Sequence, residues 1–122
     1  MVLVADDEPL VRWSVAETLG DSGYDVAQAS HAASAIEALD AADGAPDIVL
    51  LDLCLPDSND LRALSVIHRL FPATPIILMT VHGSSDLFAD ARRRGAVAVL
   101  EKPFELNDLA PLVRRALATR PS

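Results

Sequence analysis

The chain has 122 residues, of which 51% are hydrophobic, so it is long enough for one core and too short for two ordinary domains. Its formal net charge of -8 argues against direct binding of nucleic acid, because a phosphate backbone requires a basic face. The single cysteine, Cys54, excludes an internal disulfide, and no apolar run resembles a membrane span or a signal peptide. We therefore expect one compact cytoplasmic domain without membrane contact.

Five short apolar runs, each containing β-branched residues, alternate with segments of helical periodicity. Continuous apolar runs of this length are typical of parallel strands that are buried on both faces. The sequence predicts strands at residues 1–5, 26–29, 48–51, 75–79 and 97–100.

The first two helices are predicted between these strands. Pro9 is favoured in the first turn of a helix, and Gly20 and Gly23 provide stop signals. The apolar face of this first helix consists of Val11, Val15 and Leu19. A second helix is predicted over residues 32–42.

The third and fourth helices have clear ends. The third ends before Pro72, because the residue that precedes a proline avoids helical geometry. Its apolar stripe consists of Leu61, Leu64, Ile67, His68 and Phe71. Ser84 or Ser85 can cap the fourth helix, and the basic run 92–94 suits the negative end of that helix before Gly95.

The fifth helix begins near a proline. Pro111 would clash deep inside a helix but is tolerated in the first turn, so the cap is predicted at Asn107 or Asp108. Five βα units with right-handed crossovers predict an α/β, flavodoxin-like doubly wound fold, (βα)5, with a parallel sheet in the order 2-1-3-4-5. The domain is predicted to cover residues 1–118, and residues 119–122 form a natural tail or the start of a linker.

Polar side chains follow four of the predicted strands: Asp6 and Asp7 after the first, Asp52 after the third, Thr80 after the fourth and Lys102 after the fifth. In open parallel sheets the carboxyl ends of the strands line the ligand crevice, so these side chains should converge. Three acids, a hydroxyl and an ammonium suit a phosphoryl group together with Mg²⁺ or Mn²⁺.

The same residues suggest a reaction. A carboxylate can attack phosphorus, so Asp52 is a candidate nucleophile that would form an aspartyl phosphate. The metal and Lys102 would offset charge on the equatorial oxygens, and Thr80 could donate a hydrogen bond to one of them.

The chain resembles bacterial two-component response-regulator receiver domains over essentially its whole length. The resemblance rests on residues 4–8 (Val-Ala-Asp-Asp-Glu), 51–57 (Leu-Asp-Leu-Cys-Leu-Pro-Asp), 79–80 (Met-Thr) and 101–104 (Glu-Lys-Pro-Phe). It implies that Asp52 is the phosphoacceptor, that Thr80 is the switch hydroxyl and that Lys102 binds phosphate. It also implies a cis peptide between Lys102 and Pro103, a bond type nearly confined to proline.

The resemblance further implies a Mg²⁺ site, with Mn²⁺ as a substitute. Asp7 and the phosphoacceptor Asp52 would be direct ligands, the Cys54 backbone carbonyl another, and Asp6 would act partly through water. The implied partners are a sensor histidine kinase, an output domain or protein, and a second copy of the chain on activation. Such a domain is a phosphoacceptor that assists its own phosphorylation and dephosphorylation, not an enzyme. Residues 8–14 resemble, more locally, receivers at the amino terminus of sigma-54-type transcription activators.

Three positions depart from the family pattern. Val99 replaces an aromatic or histidine whose rotamer reports activation, and a β-branched side chain cannot make that swing. Val81 replaces a small residue and could slow entry of the phosphodonor. Asp60, after Asn59, replaces a glycine, and both types tolerate left-handed backbone better than most residues.

Two alternatives remain open from the sequence. The departures at Val81, Val99 and Asp60 suit a pseudo-receiver that acts only as an interaction module. A haloacid-dehalogenase-like phosphohydrolase would need a second acid two residues after the nucleophile, where this chain has Cys54. As an isolated residue, Cys54 is interpreted as a small buried hydrophobic side chain.

Overall fold

The computed structural model describes residues 1–58 and 60–119 and contains a five-stranded parallel sheet in the order β2-β1-β3-β4-β5. The strands are β1 (Val2–Ala5), β2 (Val26–Ala29), β3 (Ile48–Asp52), β4 (Ile76–Thr80) and β5 (Ala96–Glu101). The predicted fold class and strand order are confirmed. Both β3 and β4 run one residue further than predicted, so Asp52 and Thr80 are the last residues of their strands.

The helices alternate with the strands along the chain. They are α1 (Pro9–Asp21), α2 (Ala32–Ala41), α3 (Arg62–Leu70), α4 (Ser85–Arg93) and α5 (Leu109–Ala118), and a short 3-10 turn (Leu106–Asp108) precedes α5. None of the helices in the described part of the chain is long and apolar enough to cross a membrane. Of the predicted tail, residues 120–122 lie outside the described residues.

The sheet is covered by one apolar layer on each face. One layer packs Leu3 of β1 against Leu39 of α2 and Ile67 of α3. The other packs Val4 of β1 against Val15 of α1 and Val113 of α5. Alternate residues of a strand point to opposite faces, and each fully buried aliphatic side chain contributes about 1.5–3 kcal/mol. The central strands β1, β3 and β4 are buried along their whole length, which holds the polar residues at their carboxyl ends in one rigid edge.

The predicted helix ends are largely confirmed. Ser84 caps α4 by accepting a hydrogen bond from the Leu87 N–H at 3.1 Å. The helix α1 passes through Gly20 and stops before Gly23, whose φ is +96°, so only the second predicted stop signal acts as one. Asp108 is the residue before α5, and Pro111 lies in the first turn of that helix.

Asp60, which stands where the family has a glycine, does not adopt the left-handed backbone that its residue type tolerates. Among the described residues every positive φ belongs to a glycine. The Asp60 carboxylate instead accepts a hydrogen bond from the Arg62 N–H at 2.9 Å, because a short acidic side chain can bond to the backbone two residues further on. Asn59, which like Asp60 is of a residue type that tolerates left-handed backbone, lies outside the described residues.

We predict that replacement of Gly95 destabilises the fold more than replacement of Gly20 or Gly23. Its φ is +114°, and a Cβ at this position would overlap the His68 imidazole. Gly95→Ala should therefore lower the free energy of unfolding by more than Gly23→Ala, which has the same backbone strain but open space around it. Gly20→Ala, inside α1 with nothing near its Cβ, should instead stabilise by about 0.5–1 kcal/mol. Urea unfolding measures the free energy of unfolding of the three variants. Equal losses in Gly95→Ala and Gly23→Ala would contradict a steric role for His68.

Candidate functional site

Four predicted site residues lie at the carboxyl edge of the sheet. Asp6 follows β1 and is fully buried, and Asp52 and Thr80 end β3 and β4 with 5% and 2% of their surface exposed. Lys102 follows β5, and its side chain is only 8% exposed. Lys102 is also the only lysine in the sequence. The strands therefore bring two buried acids, a buried hydroxyl and a buried ammonium to one edge.

The Lys102 ammonium holds the two buried acids together. Its Nζ lies 2.7 Å from Oδ2 of Asp6 and 3.2 Å from Oδ2 of Asp52. A third, longer contact of 3.4 Å reaches Oε1 of Glu8, whose side chain is 57% exposed. Sequence analysis assigned no separate role to Glu8, although the acidic run 6–8 was the signal for it.

Burial and the neighbouring charges together shift the pKa values of Asp52 and Lys102. Burial raises the pKa of Asp52, and the negative charge of Asp6 raises it further, against the opposing hydrogen bond of the Cys54 N–H and the charge of Lys102. Burial alone would lower the pKa of Lys102, but the hydrogen bond and charge of Asp6, together with the charge of Asp52, raise it overall. Lys102 is consequently a permanent cation at neutral pH, and it offsets the repulsion between the two acids.

Three strand-end side chains share one local hydrogen-bond pattern. Oδ1 of Asp6 accepts the Glu8 N–H at 2.9 Å, Oδ1 of Asp52 accepts the Cys54 N–H at 3.2 Å, and Oγ1 of Thr80 accepts the His82 N–H at 3.2 Å. Each bond reaches two residues further along the chain, as short polar side chains do at turns. In both acids one oxygen therefore orients the loop, while the other faces Lys102.

Neighbouring groups fasten these loops to one another. The Lys102 N–H donates to the Thr80 carbonyl at 2.8 Å, and the Arg12 guanidinium donates to the Asp6 carbonyl at 2.7 Å. The peptide between Lys102 and Pro103 is cis, as the resemblance implies. The carboxyl edge of the sheet thus combines short turns with hydrogen bonds between segments that are distant in sequence.

The acidic residues suit a hard divalent cation. Carboxylate oxygens of Asp6, Asp7 and Glu8 lie within 4.8 Å of one another, with Asp6 buried and the other two exposed. Oxygen-only donors favour Mg²⁺ or Mn²⁺ over softer metals. This group shares Asp6 and Asp7 with the predicted set but contains Glu8 in place of Asp52 and the Cys54 carbonyl, so the exact ligand set stays a prediction.

Other predicted residues lie around the edge. The interpretation of Cys54 as a buried side chain is wrong, because its thiol is exposed on the loop after β3. Val81 is 53% exposed and lines a cavity of about 400 Å³ that also touches Glu8, Lys102 and Phe104. Val99 is half-buried and packs against the layer that contains Leu3.

The five-stranded parallel sheet with acids, a hydroxyl and a lysine at its carboxyl edge defines a class of α/β domain, and comparison with known proteins identifies its family. The sequence model described as "Response regulator receiver domain" matches residues 2–114, so the chain belongs to the receiver domain family of response regulators. It is a receiver domain of phosphorylation-dependent two-component signalling. A family match over nearly the whole chain leaves no basis for the haloacid-dehalogenase-like alternative.

Relatives of the chain are regulators of transcription. It is 33% identical over 118 residues to the DNA-binding transcriptional regulator NtrC of Escherichia coli K12, covering 97% of this chain and 25% of NtrC. It is 36% identical to the transcriptional regulatory protein PdtaR of Mycobacterium tuberculosis H37Rv, covering 96% of this chain and 56% of PdtaR. The chain therefore spans about a quarter to about half of the length of these relatives.

Solved structures share its fold. The receiver domain of NtrX from Brucella abortus superposes with a TM-score of 0.87 at 37% identity, covering 98% of this chain and 99% of that one. The beryllofluoride-activated NtrC4 receiver domain dimer gives a TM-score of 0.87 at 28% identity, covering 96% of this chain and 95% of that one.

Replacing Lys102 by alanine should destabilise the domain. The change leaves Asp6 and Asp52 without a counter-charge, and breaking a buried ion pair costs about 3–5 kcal/mol. Lys102 lowers the pKa of Asp52, so its removal raises that pKa further, and protonation of Asp52 as the pH falls should remove part of the repulsion and reduce the loss. Urea unfolding at several pH values measures both effects.

Two variants complete this test. Arg62→Ala removes a cation that is 83% exposed and paired with an exposed acid, so it should change stability by less than about 1 kcal/mol. Adding Asp6→Asn to Lys102→Ala should recover part of the loss, because one of the two uncompensated charges is gone. A loss from Lys102→Ala that is as small as that of the Arg62 control would contradict the proposed charge balance.

Proposed function

We propose that this chain is the receiver of a response regulator in which Asp52 accepts a phosphoryl group from a sensor histidine kinase. The observation that carries the proposal is the pairing of Asp52 with Lys102 at 3.2 Å, at the buried end of β3. Oδ1 of Asp52 is held by the Cys54 N–H, which leaves Oδ2 as the nucleophile beside the ammonium. The proposed domain covers residues 1–118.

The transfer step follows from these groups. Oδ2 of Asp52 forms a bond to phosphorus while the bond between phosphorus and the imidazole nitrogen of the kinase breaks, and that nitrogen keeps the electron pair. Lys102 offsets the charge on the phosphoryl oxygens. The Thr80 hydroxyl accepts the His82 N–H, so its own hydrogen is available to donate to one of those oxygens.

We propose Mg²⁺ as the resident cation, with Mn²⁺ as a substitute. Asp6, Asp7, Asp52 and the Cys54 carbonyl would hold it, and the position of Glu8 beside Asp6 and Asp7 adds a further oxygen donor. When bound, the cation supplies positive charge that neutralises the phosphoryl oxygens. Asp6 and Asp52 repel each other, and among the described residues Lys102 is the only cation that contacts both of them. The remaining negative charge favours binding of a divalent cation.

Phosphorylation would act on the output through Thr80 and the backbone. A hydrogen bond from Thr80 to the phosphoryl group pulls on the loop that is tied to it through His82, and this loop leads directly into α4. The Thr80 carbonyl is also bonded to Lys102, so the end of β5 follows. Val99 packs against the core and cannot rotate as a large ring does, so backbone movement carries the signal to the surface of α4, β5 and α5.

The proposed partners are a sensor histidine kinase and an output domain that regulates transcription. The NtrC relatives are named as DNA-binding proteins, and the net charge of -8 assigns any DNA contact to a part of the protein other than this domain. We also propose a homodimer on activation, which is supported by the likeness to an activated NtrC4 receiver that is a dimer.

A second candidate function is a pseudo-receiver that binds partners without phosphorylation. It is favoured by Val81, which is 53% exposed beside Lys102 in the cavity described above, and by the absence of an aromatic side chain at position 99. The two candidates differ in one property, the capacity of Asp52 to carry a phosphoryl group.

Intact-mass measurement after incubation with acetyl phosphate and Mg²⁺ tests this property. One added phosphoryl group is expected in the wild type and none in Asp52→Asn. Asp60→Asn is the matched control, because it removes an exposed acid from the same loop and should leave the adduct in place. The absence of an adduct in the wild type would overturn the proposal and favour the pseudo-receiver.

Val81→Ala should accelerate phosphorylation by acetyl phosphate, since a smaller side chain widens the approach to Lys102. We expect a several-fold higher initial rate by the same mass assay, with little change in stability because Val81 is half exposed. Val81→Thr keeps the shape of valine and should react at the wild-type rate. Identical rates in Val81→Ala and the wild type would contradict the gating role.

A further inference from the structure

Asp57 links the loop after β3 to a helix that precedes it by 25 residues. Its Oδ1 accepts the Ala32 N–H at 2.7 Å, and its Oδ2 accepts the Ala33 N–H at 2.9 Å. These are the first two residues of α2, where backbone N–H groups have no partner within the helix. The hydrogen bonds of Ala33 and Ala32 hold the pKa of Asp57 below its ordinary value, so it is a carboxylate at neutral pH.

The start of α2 is bonded both to this distant carboxylate and to its own neighbouring residues. His31 precedes the helix, and its own N–H bonds to the Ser34 hydroxyl at 3.2 Å. An acid, serine, threonine or asparagine usually accepts the first N–H groups from the position directly before a helix. The capping box between His31 and Ser34 satisfies other groups at this end, and Asp57 adds acceptors for the N–H groups of Ala32 and Ala33 from another segment, with both of its oxygens engaged at once.

The loop that carries Asp57 leads back to Asp52 through short contacts. Leu55 and Ser58 exchange two backbone hydrogen bonds of 3.1 Å, which enclose Asp57 in a tight turn. The Leu55 side chain is buried in the layer that contains α2 and α3. Next to it, the Cys54 N–H bonds to Asp52. The loop is thus held at Asp52 at one end and at α2 at the other.

We propose that Asp57 is a positioning residue for the phosphoacceptor site. By anchoring the turn to α2 it keeps Cys54 in place, and Cys54 offers its N–H to Asp52 and its carbonyl to the cation. The effect on metal binding rests on the proposed function, because it requires the proposed Mg²⁺ site. The anchoring of the turn to α2 does not depend on that function. Asp57 does not touch the reacting atoms, so its effect must pass through Cys54.

Asp60 provides a matched control on the same loop. Both acids are exposed and both carry one negative charge, so their removal changes the net charge equally. The hydrogen bonds and the ion pair of the Asp60 carboxylate in the described part of the chain are made with Arg62, two residues away. Only Asp57 bonds to a different segment of the fold.

Mg²⁺ binding by isothermal titration calorimetry and amide hydrogen exchange by NMR test the proposal. Asp57→Ala should weaken Mg²⁺ binding by about tenfold, whereas Asp60→Ala should leave it near the wild-type value. Asp57→Asn keeps one acceptor oxygen and should fall between the two. Exchange of the Cys54, Ala32 and Ala33 amides should accelerate in Asp57→Ala, while amides in the centre of β1 stay protected.

The outcomes separate this proposal from the proposed function. A wild type that binds no Mg²⁺ would overturn the proposed metal site. The exchange rate of the Cys54 amide hydrogen would still test the anchoring by Asp57, because that measurement needs no metal. Unchanged Cys54 exchange in Asp57→Ala would overturn the anchoring. Faster exchange only at Ala32 and Ala33, with Mg²⁺ affinity unchanged, would reduce Asp57 to a helix cap and overturn its positioning role.

Discussion

The ion pairs of Lys102 with Asp6 and Asp52 are the interaction on which the arrangement of the site depends. Two buried carboxylates at the ends of neighbouring strands repel each other, and the interior around them offers little solvent to screen that repulsion. The ammonium that offsets it comes from the far end of the chain, 96 residues from Asp6 and 50 from Asp52. A site of this kind exists only when the sheet is complete, which couples the chemistry directly to the fold.

Around that centre, the strand ends are organised by short side-chain bonds to the backbone. Asp6, Asp52 and Thr80 each hold the N–H two residues further on, so each loop leaves the sheet in a defined direction. The side chains that make these loop-shaping hydrogen bonds, Asp6, Asp52 and Thr80, are also the predicted site residues. In the proposed function, a new hydrogen bond from Thr80 to a phosphoryl group would therefore move the loop after β4, as a switch requires.

The loops on either side of Asp52 are held in different ways. The loop after β4 is tied by Thr80 to His82, and Val81 within it is more than half exposed. The loop after β3 is tied at Asp52, at the turn between Leu55 and Ser58, and at α2 through Asp57. The described hydrogen bonds thus hold the loop after β3 at three points, whereas Val81 lies exposed in the loop after β4.

Much of the fold could be predicted because its signals are local. Periodicity, caps and residue types are properties of short segments, and they predict the strands, most of the helix ends and the five polar residues at the strand ends. The strand order then follows from the rule that crossovers between parallel strands are right-handed and from the order of flavodoxin-like sheets. Only the tertiary structure decided that Asp57 caps α2, that Glu8 reaches Lys102, that His68 packs over Gly95 and that Cys54 is exposed. These features depend on which distant segments meet, and their geometry is set by packing between layers, which leaves no periodic pattern in the sequence.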